Sequence, residues 1–178
     1  MSGEIKVVNE FEKPAKFMKR KVYIETSVIS YLTARPSKTI LGAAHQQITL
    51  DWWESRHQYE LFISESVWRE CAAGDGEAAQ KRLDVLTEIP FLMIDENAVN
   101  IASELVQKGI VPSKAAEDAL HIAIATIYGM DYLLTWNCRH IANPELQRSI
   151  AFFLEEIGLF LPFICTPEEL LGNENDER

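Results

Sequence analysis

The run Lys21-Val-Tyr-Ile-Glu-Thr-Ser-Val28 constrains the fold more than any other part of the chain. Val22, Tyr23 and Ile24 are strand formers. The run stops on a carboxylate, Glu25, and passes without a linker into the helical pattern Val28, Ile29, Tyr31, Leu32. Thr26 or Ser27 offers the hydroxyl that caps such a helix. An acidic residue at this turn lies at the carboxyl end of a first strand, where open α/β sheets hold their ligands.

The rest of the chain repeats the alternation. Further strands are expected at 59–63, 91–94, 132–134 and 163–165, and helices at 40–57, 65–73, 76–89, 97–108, 115–128 and 144–157. Ser64 and Ser113 are the expected caps of the helices that follow them. Gly74, Gly109 and Gly129 are the expected stops. Pro36 marks the loop at 34–38, and Trp52-Trp53 reads as core or dimer packing ahead of base or partner contact. Strands alternating with helices predict an α/β fold: a central parallel sheet of four to five strands, right-handed crossovers, and helices on both faces. A chain of 178 residues can bury one proper core. The expected organisation is a flexible arm at 1–20, a single domain at 21–171 and a frayed acidic tail at 172–178.

The formal charge of −10 argues against broad electrostatic affinity for nucleic acid. It leaves room for a nucleic-acid substrate only where divalent ions neutralise an acidic pocket, and it equally suits a basic protein partner or plain solubility. Cys71, Cys138 and Cys165 lack any Cys-x-x-Cys spacing and read as thiols of a reducing cytoplasm. No run is long and apolar enough for a membrane span, and residues 1–20 lack the apolar core of a secretory signal. The phosphate-binding Gly-x-x-x-x-Gly-Lys, the dinucleotide Gly-x-Gly-x-x-Gly and the hydrolase Gly-x-Ser-x-Gly are all missing from the sequence.

Side chains at strand carboxyl ends, and in the first turns of the adjoining helices, converge on one sheet edge. Four residues are placed for this: Glu25 after the first strand, Glu70 in the helix after the second, Asp118 in the helix before the fourth, and Asn137 just beyond the fourth. Ala115, Ala116, Ala119 and Ala123 let the helix of Asp118 lie close to the sheet, so that its carboxylate needs a compensating cation or proton. Oxygen ligands of this kind suit Mg2+ or Mn2+, ions that promote attack of water in phosphodiester hydrolysis. Each residue also has a plainer reading. Glu25 can cap a helix N-terminus and favour its dipole by about 0.3–1 kcal/mol, and Glu70 can be a solvated helix residue paired with Arg69 or a nearby Lys. Asp118 is harder to dismiss, because Asp is a poor residue inside an Ala-rich helix. Glu65 and Glu117 read as surface charges, Asp131 as the residue ordering a turn, and His121 and His140 as packing residues.

In this order, Tyr23-Ile-Glu-Thr-Ser-Val28, Ile63-Ser-Glu-Ser-Val-Trp-Arg-Glu70, Glu117-Asp-Ala-Leu-His-Ile-Ala-Ile-Ala125 and Asp131-Tyr-Leu-Leu-Thr-Trp-Asn137 resemble a PIN domain, the nuclease fold of the VapC-type toxins of bacterial toxin–antitoxin pairs. The resemblance spans residues 21–167 and implies a PIN-like three-layer α/β/α fold. It implies a metal-dependent endoribonuclease whose acidic quartet holds Mg2+ or Mn2+. The quartet falls on Glu25, Glu70, Asp118 and Asn137, with Thr26, Ser27 or Thr135 helping to position the ligands. It further implies a small antitoxin partner and a homodimer. Glu25 stands where the pattern has Asp, which moves its oxygens outward by a methylene, and Asn137 stands where the pattern has an acid. These two departures keep open an alternative: a catalytically weak or inactive PIN-fold module that binds RNA or a protein through the tryptophan-bearing helix.

Overall fold

A computed structural model of the chain describes residues 18–171, so positions 1–17 of the expected arm and the whole expected tail at 172–178 lie outside the described residues. The first strand, β1 (Lys21–Ile24), leads into α1 (Thr26–Thr33) and α2 (Ile40–Ser55). Next come β2 (Glu60–Ser64), α3 (Glu65–Ala72), α4 (Gly76–Leu86), β3 (Phe91–Leu92), α5 (Glu96–Gln107) and α6 (Ala116–Ile127). The chain then forms β4 (Tyr132–Leu134), α7 (Pro144–Glu156), β5 (Phe163–Cys165) and α8 (Pro167–Leu171).

The five strands form one sheet in the order β3-β2-β1-β4-β5, and every pairing is parallel. Val22, Tyr23 and Ile24 are wholly buried, as expected of a central strand covered on both faces. In register, Tyr23 lies opposite Phe62 of β2 on one side and Leu133 of β4 on the other. The connections from β1 through β2 to β3 run outward in one direction, and the next one returns across β1 to β4. With right-handed crossovers, α1–α4 then cover one face and α5–α7 the other. The contacts agree: α1 packs on α2, α3 and α4, while α5 packs on α6. This is a PIN-like three-layer α/β/α fold, and its topological switch point lies between β1 and β4.

Trp52 settles one expectation. It has no exposed surface and stacks at 6.2 Å on Tyr59, so it belongs to the core. Trp53 is half-buried, with the Arg56 guanidinium 4.7 Å above its ring. Ser64 caps α3 through the Val67 N–H, as its position predicts.

Four local expectations need correction. Neither Thr26 nor Ser27 caps α1; Glu25 does, because its longer side chain folds forward to accept from the Ser27 N–H at 3.1 Å. Ser113 does not cap α6 but opens a 3-10 turn (Ser113–Ala115), after which α6 starts with no side-chain cap. The third strand stops at Leu92, where its pairing with Ile63 and Ser64 of β2 runs out and Met93 is already 60% exposed. The last helix, α8, was not expected, although Thr166 and Glu169 form a capping box: the Thr166 N–H donates to the Glu169 carboxylate at 2.7 Å, and the Glu169 N–H donates to the Thr166 hydroxyl at 3.4 Å. Among the described residues no helix is long and apolar enough to cross a membrane.

Candidate metal centre

The centre grows out of the sheet ladder. The Glu25 N–H donates to the Leu134 carbonyl at 3.0 Å, and the Thr135 N–H to the Cys165 carbonyl at 3.0 Å, so both residues extend their strands by one register step. That places Glu25 and Thr135 side by side at the carboxyl edge of β1 and β4, at the switch point where such sheets bind ligands.

Glu25 is only 6% exposed. Its Oε1 accepts from the Ser27 N–H at 3.1 Å, and its Oε2 accepts from the Thr135 hydroxyl at 2.6 Å and from the Ser27 hydroxyl. A buried carboxylate without such donors would cost several kcal/mol. The belt of hydroxyls continues outward. The Trp136 N–H donates to Ser27 Oγ at 2.8 Å, and the Asn137 N–H to Thr135 Oγ1 at 2.9 Å, so the loop after β4 is tied to the same oxygens that orient Glu25.

Glu70, on α3, faces Glu25 across the edge and accepts from the Thr26 hydroxyl. His121, on α6, completes the group. It is 1% exposed, and its Nε2 stands 3.3 Å from each Glu70 carboxylate oxygen. On its other side, Nδ1 shares a 2.7 Å hydrogen bond with the Tyr23 hydroxyl, which shares another of 2.7 Å with Ser64 Oγ. Donor atoms of Glu25, Glu70 and His121 all lie within 4.8 Å of one another.

Asp118 lies one helical turn before His121, and residues three apart on a helix share a face. It is half-buried, and its Oδ1 accepts from the Asn137 Nδ2 amide at 2.9 Å; Asn137 Oδ1 in turn accepts from the His140 N–H at 3.1 Å. Asp118 and Asn137 thus form a pair of their own beside the tighter Glu25–Glu70–His121 group.

The electrostatics bind the two halves together. Burial pushes the Asp118 carboxyl up and the Asn137 hydrogen bond pulls it down, while the charge of Glu25 pushes it up again, leaving it above the ordinary range. Burial also pushes Glu70 up, but its bond and charge interaction with His121, the Thr26 bond and the charge of Arg69 together leave it below the ordinary range. For His121, burial favours the neutral ring, yet the Glu70 bond and the charges of Glu25, Glu70 and Asp118 raise it above the ordinary imidazole value. The Tyr23 phenol is driven upward, first by burial, so it stays protonated and acts only as a hydrogen-bonding group.

Among the described residues, no lysine or arginine forms an ion pair with Glu25, Glu70 or Asp118. Two carboxylates and an imidazole gathered this closely, with no fixed cationic partner, fit a divalent ion. The other candidates lie elsewhere. Asp131 sits at the opposite end of β4, where it accepts from the Lys21 N–H at 2.8 Å and pairs with Arg20 at 3.1 Å. Glu117 is exposed and accepts from Ser66 Oγ at 3.2 Å. Sequence reasoning placed His121 among packing residues and overlooked Tyr23 and Ser64. The available signal was the three-residue spacing from Asp118, which puts His121 on the same face of α6.

Together, the sheet order, the three layers and the acidic edge define a PIN-like domain with a candidate metal centre. Solved structures bear out the fold. The chain is similar to VapBC2 from Rickettsia felis, determined bound to a DNA fragment from its promoter, with a TM-score of 0.53 and 16% identity over 82% of this chain and 98% of that one. It is also similar to VapC20 of Mycobacterium tuberculosis, a toxin that cleaves the sarcin–ricin loop, with a TM-score of 0.52 and 16% identity over 69% of this chain and 95% of that one. At such identity the likeness is one of fold. No family model matches the sequence, and no curated protein does.

Proposed function

We propose that the chain is a metal-dependent endoribonuclease that hydrolyses RNA phosphodiesters, acting as the toxin of a toxin–antitoxin pair. The observation that carries this reading is the gathering of Glu25, Glu70 and His121 donor atoms within 4.8 Å at the carboxyl edge of the central strand, with Asp118 beside them. Support comes from the fold shared with VapC20, whose described action is cleavage of an RNA loop.

In this reading Glu25, Glu70 and Asp118 hold Mg2+ or Mn2+, which supplies positive charge for the phosphate and promotes attack by water. Glu25 is oriented by Ser27 and Thr135, and Glu70 by Thr26. Asn137 occupies the fourth position and holds Asp118 through its amide. The net charge of −10 leaves the neutralisation of RNA at the site to the bound cation. A small antitoxin binding over this edge, a homodimer and a cytoplasmic location complete the proposal. The fold shared with VapBC2, solved bound to a DNA fragment from its promoter, supports the partner part of this reading.

The test is incubation of single-stranded and hairpin RNA with the chain in Mg2+ or Mn2+, beside Glu25→Gln and Asp118→Asn. Metal-dependent cutting by the parent, lost in both variants, is the expected result. Equal cutting by parent and variants would place the activity elsewhere. Tight RNA binding with no cutting in either metal would favour a binding module, which the amide at position 137 suits better than an acid.

A further inference from the structure

We propose that His121 Nε2 is a direct ligand of the divalent ion, held for that role by Tyr23 and Ser64, so that the centre selects a first-row transition ion such as Mn2+ over Mg2+. The inference rests on the reading of the carboxylate edge as a metal site, but not on RNA being the substrate.

The two sides of the imidazole are held very differently. Nδ1 is fixed by a 2.7 Å bond to the Tyr23 hydroxyl, itself anchored at 2.7 Å to Ser64, in a pocket with no solvent access to Tyr23 or Ser64. Nε2 faces Glu70 at 3.3 Å, beyond the usual 2.9–3.0 Å of a nitrogen–oxygen hydrogen bond. A ring present only to fill the core has no need for this orientation. One nitrogen locked by a hydrogen-bonding partner, with the other aimed at carboxylates, is how proteins present an imidazole to a metal.

The spacing agrees. Ligands at about 2.1 Å from an octahedral ion lie roughly 3.0 Å apart at neighbouring positions. The 3.3 Å between Nε2 and the Glu70 oxygens is close to that, and Glu25 donor atoms complete a group within 4.8 Å. With a cation at this point, Nδ1–H donates to the Tyr23 oxygen, the Tyr23 O–H donates to Ser64 Oγ, and the Nε2 lone pair is free for the ion. Imidazole nitrogen favours first-row transition ions, whereas Mg2+ favours all-oxygen surroundings. His121 therefore sets metal preference, while Tyr23 and Ser64 act through it as positioning residues.

The test uses the full chain freed of metal by chelation and then titrated with Mn2+ or Mg2+. Pulsed electron paramagnetic resonance of the bound Mn2+ reads directly whether a nitrogen nucleus is coupled to it. The expected result is a nitrogen coupling in the parent, absent in His121→Gln, and a preference for Mn2+ over Mg2+ that falls at least about tenfold in that variant. Tyr23→Phe keeps a buried ring but frees Nδ1; it should weaken Mn2+ binding about 10–100-fold while leaving the circular dichroism spectrum unchanged, and it supplies the reading where His121→Gln does not fold. Mn2+ bound without nitrogen coupling, an unchanged Mn2+/Mg2+ ratio in His121→Gln, or no Mn2+ binding by the parent would each overturn the proposal. A nitrogen-coupled ion in a protein that leaves RNA intact would remove the nuclease reading and keep this one. RNA cutting in Mn2+ without nitrogen coupling would do the reverse.

Discussion

Replacing Thr135 by valine tests whether the hydroxyl belt holds the metal-binding carboxylate in place before any ion arrives. Thr135 has no exposed surface. Its hydroxyl donates to Glu25 Oε2 at 2.6 Å and accepts from the Asn137 N–H at 2.9 Å. Valine has nearly the same shape, so the change removes both bonds without opening a large cavity. Losing a hydrogen bond to a charged acceptor costs about 1.5–3 kcal/mol, and leaving the backbone N–H of Asn137 without its partner costs about 1–3 kcal/mol. The sum, about 2.5–6 kcal/mol, corresponds to a drop in Tm of roughly 5–24 °C for a chain of this size. Thr135→Ser keeps both bonds and gives up one buried methyl group, about 0.8 kcal/mol. Urea unfolding of the metal-free proteins separates the two effects. If valine costs no more than serine, the Glu25 carboxylate is not held by this hydroxyl and the account of a preorganised edge is wrong.

Two further perturbations bear on the same cluster. His121 has a folded-state pKa raised above its ordinary value of about 6.5, so its contribution to stability is complete below that pH and is lost as pH rises through the folded value. Glu70, held below its ordinary 4.5, contributes above that pH and loses its contribution as the solution is acidified through its folded value. Asp118, held above its ordinary 3.8, opposes Glu70 on the acid side, so the alkaline limb is the cleaner one to measure. Thermal melts of the metal-free chain should show Tm falling from about pH 6.5 upward, and His121→Gln should flatten that limb; an equally steep limb in the variant would mean the imidazole is not paired as described. In Asn137→Asp a second carboxylate replaces the amide that donates to Asp118 at 2.9 Å. It should destabilise the metal-free protein by about 1–3 kcal/mol and increase the rise in Tm on adding Mn2+. An unchanged Mn2+ response would separate Asn137 from the metal centre.

Much of this architecture can be read from the residues because the cues are local. Val22-Tyr-Ile24, the Ser64 cap and the small residues of α6 act within a few positions of themselves. The acidic edge is legible for a related reason: in a parallel sheet, a carboxylate just past a strand must land on one rim. What escaped depends on distant partners. His121 meets Tyr23 from 98 positions away and Glu70 from 51, and its three-residue spacing from Asp118 is the one local cue that sets it apart from a core residue. At α1 the Ser27 hydroxyl is drawn into the Glu25 carboxylate, so the plainer reading of Glu25 as a helix cap holds in place of a cap by Thr26 or Ser27. The pattern Thr166-Pro-Glu-Glu169 was a legible helix start that five residues of helix made easy to pass over.

The most direct measurement is the anomalous density of a crystal of the chain soaked in Mn2+. One peak within ligand distance of Glu25 and Glu70, at about 2.1–2.3 Å from their oxygens, is the result this account predicts. A saturating soak that leaves those carboxylates bare, or that puts the ion only on other acidic groups of the surface, would contradict it.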